Sequence, residues 1–511
     1  MQQTYDISGI DRALLTAGVI LAMLMQILDT TIANVALPHM RTSLGATNET
    51  VNWVLTSYIV AAAIAIPITG WLAERVGRKR LFLWSVVAFT AASMLCAAAQ
   101  NLEEMVLFRL MQGMAGAFLV PLAQSIMFDI NPPEKHGRAM SLFGAGGMVG
   151  PILGPVLGGW LTESFNWRWV FLVNLPVGVI AFLLLLRYLP KTEIVRRRFD
   201  LLGFGLLALA LGGFQMMLDR GEQNDWFASW ETWIECGLAV AGAWMFAVHM
   251  LTGRDPIFDP GMFKDRNFAT GLLFMAVTGV MLLAGLALLP PLLQGLYGYS
   301  VLQSGFLTAP RGIGTLLSML VAGRLVGRVD ARLLILVGMS LMALSLWQMS
   351  GFSLEMDQRP FIVSGIVQGL ALGFLFVPLN TIAFSTIDQK FRTTAASLLN
   401  LSRSIGGSVG ISVVTLLLAR NLQVSHSDLA AHITPYALPP IPPAIAQGAP
   451  QVTDMAIAMM DAEINRQALM IAYIDDFYLM MIVTLAAIPL LLLLKKGRTP
   501  VPGAPPAAVA D

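Results

Sequence analysis

A carboxylate inside an unbroken apolar run is the part of this chain whose placement most directly implies chemistry. Asp29 follows an almost uninterrupted apolar stretch from Ala13 to Leu28 and lies within LDTTIANVALP at 28–38, beside Thr30, Thr31 and Asn34. A charge at that depth in lipid is costly, so it faces a bundle interior or a water-filled path, either as a proton- or cation-binding group or as a partner to a neighbouring helix. Arg109 sits several residues into another apolar run, in LFRLMQG at 107–113. A guanidinium there needs partners, and a buried ion pair is one way to supply them. Desolvation and a nearby guanidinium act on a buried carboxyl in opposite senses. A group poised between them can bind and release a proton. One entering charge carries roughly 2.3 kcal/mol per 100 mV and a pH gradient adds about 1.4 kcal/mol per unit, so a single proton can drive a gradient of roughly a hundredfold.

The elements that must position these groups follow from composition. The 511 residues are 56% hydrophobic and 12% charged, with mean hydropathy +0.70. Soluble domains carry about 25% charged residues, so the chain reads as an all-α polytopic membrane protein. Runs long enough to cross a bilayer, about 20 residues each, fall near 13–36, 52–73, 81–99, 104–128, 139–162, 168–189, 201–219, 232–252, 268–293, 302–323, 333–350, 360–385, 394–419 and 476–494. Basic residues crowd alternate connections (Arg75, Arg78, Lys79 and Arg80; Arg196, Arg197 and Arg198; Arg324, Arg328 and Arg332; Lys495, Lys496 and Arg498), roughly twenty against six in the other set. That bias predicts that the basic connections and both termini are cytoplasmic. The short polar N-terminus lacks the pattern of a cleavable signal, so the first helix is expected to be retained.

Other function classes find little support. Net charge is +1, which gives no nucleic-acid surface. Cys96 and Cys236 offer neither a disulfide framework nor ligand spacing. His426 and His432 share a connection with Asp428, a pattern that fits a solvated loop better than a metal site. There is no G-x-x-x-x-G-K-[ST] phosphate loop and no nucleophile–base pair. The expectation is a non-enzyme without cofactor, driven by the proton gradient and not by ATP.

An internal repeat organises the chain. TGWLAERVGRKRL from Thr69 echoes AGRLVGRVDARLL from Ala322, pairing Gly70 with Gly323, Leu72 with Leu325, Arg75 with Arg328 and Val76 with Val329. QGMAGAFLVPL at 112–122 echoes QGLALGFLFVPL at 368–379 at nearly the same offset. This divides the chain into a six-helix half at 1–198, an inserted helix pair at 199–254, a second six-helix half at 255–495 and a tail at 496–511. Repeated halves with a site between them are transporter architecture. Residues 420–475 are expected to be a long polar connection on the outer face, with six prolines from Pro435 to Pro450 and a stretch at 452–473 that could be helical. It serves as a docking surface or as a linker.

Four motifs carry a family resemblance. They are LDTTIANVALP at 28–38, the loop from Gly70 to Arg80, the Arg109 segment, and Gly146-x-x-x-Gly150-Pro151-x-x-Gly154-Pro155-x-x-Gly158-Gly159. Together they resemble the major facilitator superfamily and, within it, the fourteen-span drug:proton antiporters of the EmrB type, over nearly the whole chain. LDRG at 218–221 with Asp225, Trp226 and Phe227, and Asn400-x-x-Arg403-x-x-Gly406-Gly407-Ser408, match the same subgroup. In the loop motif, Gly70 and Gly77 permit close approach and a tight turn. Glu74, where relatives often carry Asp, and Arg78 are expected, with Arg75, to form a charge cluster that gates the cytoplasmic side or only fixes topology. Glycines four apart in the fourth motif let another helix approach closely, and Pro151 and Pro155 are expected to bend the span. The resemblance implies a role in proton coupling for Arg109 and an antiporter helix for the glycine motif. It further implies hydrophobic or amphiphilic toxic cargo, and in double-membrane bacteria a periplasmic membrane-fusion adaptor and an outer-membrane channel, with 420–475 as the docking candidate.

Gln26, Asn34, Tyr58, Gln112, Gln124, Gln368 and Asn380 lie in apolar spans and either line a substrate path or hydrogen-bond between helices. Arg311 and Arg403 either balance a carboxylate or an anionic cargo, or reach water at a helix end. The 29 Met and 26 Phe suit a permissive pocket but equally a lipid-facing surface. Export of a single metabolite, fatty acid or siderophore is the nearest alternative. A non-transporting receptor or assembly protein is the alternative of a different class.

Overall fold

In lipid each backbone polar group must be satisfied within its own segment, so long apolar runs become helices. The computed structural model describes residues 9–47, 50–192, 194, 198–253, 256–432 and 450–495. Among them are fourteen helices long and apolar enough to cross a membrane. In chain order they are α1 (Gly9–Ser43), α2 (Thr50–Val76), α3 (Arg78–Ala98), α4 (Leu102–Asp129), α5 (Pro133–Ser164), α6 (Trp169–Tyr188), α7 (Leu201–Arg220), α8 (Trp230–Thr252), α9 (Arg266–Leu296), α10 (Gln303–Leu325), α11 (Ala331–Met349), α12 (Arg359–Phe384), α13 (Gln389–Ala431) and α14 (Ala458–Leu493). Side-chain caps set several starts. Asn101, Asp200 and Asp265 each accept from a backbone N–H of the first turn, and Ser300 forms a capping box with Gln303.

The last connection differs from the sequence expectation. The helix of α13 continues to Ala431, and helical backbone resumes at Pro450 and runs through Ala487. Most of 420–475 is therefore a pair of helical extensions and not a loop. Hydropathy registers only the membrane-crossing length, whereas this polar sequence, free of Gly and Pro up to His432, lets a helix continue into water. The prolines from Pro435 to Pro443, the basic residues Arg196, Arg197, Arg254, Lys496 and Arg498, and the tail 496–511 lie outside the described residues.

Helix partners recur with a shift of eight. α1 packs on α5 as α9 packs on α13; α2 on α4 as α10 on α12; α3 on α6 as α11 on α14. Contacts between the first six and last six helices obey the same shift, with α5 against α10 and α2 against α13. The repeat glycines stand at these crossings: a Cβ on Gly70 would collide with Thr394 of α13, and one on Gly323 would stand 2.5 Å from Ser141 of α5. The pair α7 and α8 lies to one side, with α7 against α2 and α13. α8 presents Trp230, Val240, Trp244 and Leu251 outward, as a lipid-facing helix does.

Candidate functional site

Asp29 is buried in the first six helices at 1% exposure, and Arg109 is fully buried. Asp29 Oδ2 accepts from Arg109 Nη1 at 2.5 Å, and Oδ1 accepts from Gln112 Nε2 at 2.7 Å and from Asn174 Nδ2 at 3.0 Å. Arg109 also donates from Nε to the Val54 carbonyl at 2.9 Å and from Nη1 to Gln112 Oε1 at 2.8 Å. Its guanidinium lies 4.3 Å from the centroid of the Tyr58 ring, within cation–π range. Asn174 is held in turn by Ser93 Oγ, which donates to the Phe171 carbonyl. Five helices thus meet in one network around this carboxylate. Helical spacing explains the convergence, because Arg109 and Gln112 are three residues apart and share a face of α4. An apolar cluster that includes Ile32, Met40, Val51, Met105, Val170 and Phe171 lies between this ion pair and the end opposite the basic connections. The pair is closed to water in this conformation.

The glycine motif packs directly on the helix that carries Asp29. Cβ atoms on Gly146, Gly150, Gly154 and Gly158 would press on Ile20, Ile27, Thr31 and Ile32 of α1, whereas Gly159 has nothing within 4 Å. Thr31 donates to the Gly150 carbonyl at 3.4 Å. α5 stays helical through Pro151 and Pro155. The donors they lack are compatible with helices whose neighbours satisfy the freed groups.

At the basic end the charge cluster is centred on Asp129, a residue the sequence reading did not single out. Arg78 pairs with Asp129 Oδ2, and Arg392, at the start of α13, pairs with Oδ1 at 2.8 Å. Arg78 reaches the end of α4, and this carboxylate joins the two sets of six helices. Gly77 takes φ 92° between α2 and α3, the left-handed turn expected of it. Arg75 lies 5.2 Å from the Trp71 ring centroid.

The remaining residues divide into three groups. Gln124 donates to Asn380 Oδ1 at 2.5 Å and accepts from Asn400 at 2.6 Å, and Arg403 donates to Asn400 at 3.1 Å. This amide network crosses the interface, and Phe143 stacks on Phe376 nearby across the same interface. Arg311 and Gln368 lie together, both buried, among α9, α10 and α12. Arg311 is eight residues inside the nearer helix end (303 to 311), about 12 Å along the axis, too deep to reach water there. Gln26, half-buried, meets the Tyr58 side chain beside Arg109, whereas Asn34 is exposed on α1. His426 contacts Asp461 at 3.0 Å, linking the extensions of α13 and α14, and His432 contacts the Asp428 carbonyl. No group of three or more metal-binding side chains occurs among the described residues.

Comparison with known proteins places this geometry. The family model described as Major Facilitator Superfamily matches residues 19–411. The multidrug export protein EmrB of Escherichia coli K12 is 37% identical over 439 residues, 85% of this chain and 86% of that protein. The fatty acid resistance protein FarB of Neisseria gonorrhoeae is 38% identical over 434 residues, 84% and 85% of the two chains. Among solved structures, the proton:xylose symporter XylE superposes with TM-score 0.59 at 13% identity, covering 94% of this chain and 97% of that one.

Proposed function

Since this chain belongs to the major facilitator superfamily, we propose that it is a proton-driven antiporter that exports hydrophobic and amphiphilic toxic compounds across the bacterial inner membrane. Two halves, the first and last six helices, rock about the interface while the α7–α8 pair stays at the side. The observation that carries the reading is the buried Asp29–Arg109 pair. Its carboxylate is neutralised by a guanidinium in one state. Protonation releases that guanidinium and alters a network tying five helices together, so proton binding and helix packing are linked. The Asp129 bridge to Arg78 and Arg392 closes the basic end and opens when the halves exchange. The amide network of Gln124, Asn380 and Asn400 lies where cargo crosses. The crowding of basic residues at one end supports cytoplasmic placement of that end and of both termini.

The extensions of α13 and α14 are the docking surface for a periplasmic adaptor that hands cargo to an outer-membrane channel. The α-helical part of α13, Arg392–Ala431, is 40 residues long, about 60 Å at 1.5 Å per residue, twice what a bilayer core of about 30 Å requires. A narrower reading, export of a fatty acid or another single amphiphile, is favoured by the similarity to FarB. Dye efflux in reconstituted vesicles with an imposed pH gradient tests the coupling. Wild type is expected to concentrate dye; Asp29→Asn and Arg109→Ala are expected to fold yet lose gradient-driven transport. A broad resistance profile against a compound panel separates multidrug export from a single cargo.

A further inference from the structure

We propose that Arg311 and Gln368 form a receptor for the carboxylate of amphiphilic organic acids, separate from the Asp29 pocket. The inference deepens the export reading, and rests on it, by assigning a class of cargo to one place in the last six helices. Arg311 carries five N–H donors. Its guanidinium makes one long bond, 3.4 Å from Nη2 to the Leu282 carbonyl, and no ion pair among the described residues. A buried charge without a partner is strongly unfavourable, so this guanidinium is set up for an anion that arrives from outside the fold. Gln368 gives the second, independent observation: it is fully buried, and neither its Oε1 nor its Nε2 has a hydrogen-bond partner.

The two side chains meet at one point. A methyl group placed on Gly285 would stand 3.3 Å from Gln368 Nε2 and 3.6 and 3.8 Å from the two terminal nitrogens of Arg311. Three donor nitrogens, two of them in the planar fork that matches a carboxylate, therefore converge beside a residue that has no side chain. The same arrangement repels a cationic head group.

The test measures binding to the purified full-length protein in detergent without any gradient. The probes are decanoate, decanamide and decyltrimethylammonium below their critical concentrations. Wild type is expected to bind decanoate at least about tenfold tighter than decanamide, the scale of a buried charge-assisted contact, and the ammonium probe more weakly than either. Arg311→Gln is expected to bring the decanoate-to-decanamide ratio to about one. Gln368→Glu supplies the guanidinium with a carboxylate of its own. It is expected to abolish the preference while raising the melting temperature, so it decides the matter even if Arg311→Gln does not fold. Equal binding of the acid and the amide by wild type overturns the proposal, as does a preference that survives in either variant. Asp29→Asn separates this proposal from the coupling scheme. Loss of driven efflux with the decanoate preference intact supports both; retained driven efflux with the preference intact refutes the coupling alone.

Discussion

Replacing Asp29 by Asn removes one charge and almost no volume. The amide oxygen can still accept from Gln112 and Asn174, whose bonds to Asp29 are 2.7 and 3.0 Å long. Arg109 keeps its bonds to the Val54 carbonyl and to Gln112 Oε1. What is lost is the 2.5 Å ion pair, leaving a fully buried guanidinium without its counter-charge. Breaking a buried pair from one side typically costs about 3–5 kcal/mol, and the surviving bonds of Arg109 hold the loss to the lower part of that range. Melting of the purified variant should fall accordingly, and adding Arg109→Gln should recover part of it, because two neutral amides replace an uncompensated cation. Transport gives the sharper readout. With one pH unit and 100 mV imposed, one coupled proton supplies about 3.7 kcal/mol, a cargo ratio of a few hundredfold. Wild-type vesicles should approach that ratio, whereas the Asn variant should equilibrate cargo to a ratio of about one while still exchanging it down its own gradient. A variant that concentrates cargo as wild type does would remove Asp29 from the coupling.

Three further outcomes follow from the same geometry. Asp129→Ala should loosen the basic end by about 1–2 kcal/mol, allowing for water at the Arg78 and Arg392 side chains. Spin labels at positions 134 and 390 should report a roughly 5- to 30-fold rise in the ratio of long-distance to short-distance populations. Gly150→Val should lower stability by about 1–3 kcal/mol through overpacking, since a Cβ there stands 2.5 Å from Ile27. Gly159→Ala, with open space around it, should melt as wild type does. Replacing 425–470 with a short flexible linker should leave efflux in vesicles intact and abolish resistance in cells of a double-membrane bacterium; unchanged resistance would dismiss the docking role.

Much of this was readable from residue types because lipid allows few alternatives. The fourteen helices overlap the predicted runs, since a run of about 20 apolar residues has no other stable form in a bilayer. Asp29 and Arg109 stood out as charges within such runs, and the expected closeness of the two is what the fold brings about. Asn174 and Ser93 did not stand out, because uncharged polar residues occur in many spans and nothing local tells which of them will face an acid. Asp129 was hidden for the opposite reason: an acid at the end of a span is ordinary, and its second partner, Arg392, is 263 residues away. The extensions of α13 and α14 were read as a connection because a hydropathy window responds to lipid contact and not to helical order.

The face of α5 that lacks side chains has a mechanical consequence. One side of this helix rests on α1, and its Ile152 fills the place a Cβ on Gly312 of α10 would take, next to Arg311. The helix is therefore a shared rail between the acid in one set of six helices and the orphan guanidinium in the other. Its bare notches receive Ile20, Ile27, Thr31 and Ile32 of α1, so that seam interlocks and α5 should carry α1 with it. On the proposed rocking of the halves, relative travel would fall at the α5–α10 face, with the Asp129 clasp as its stop.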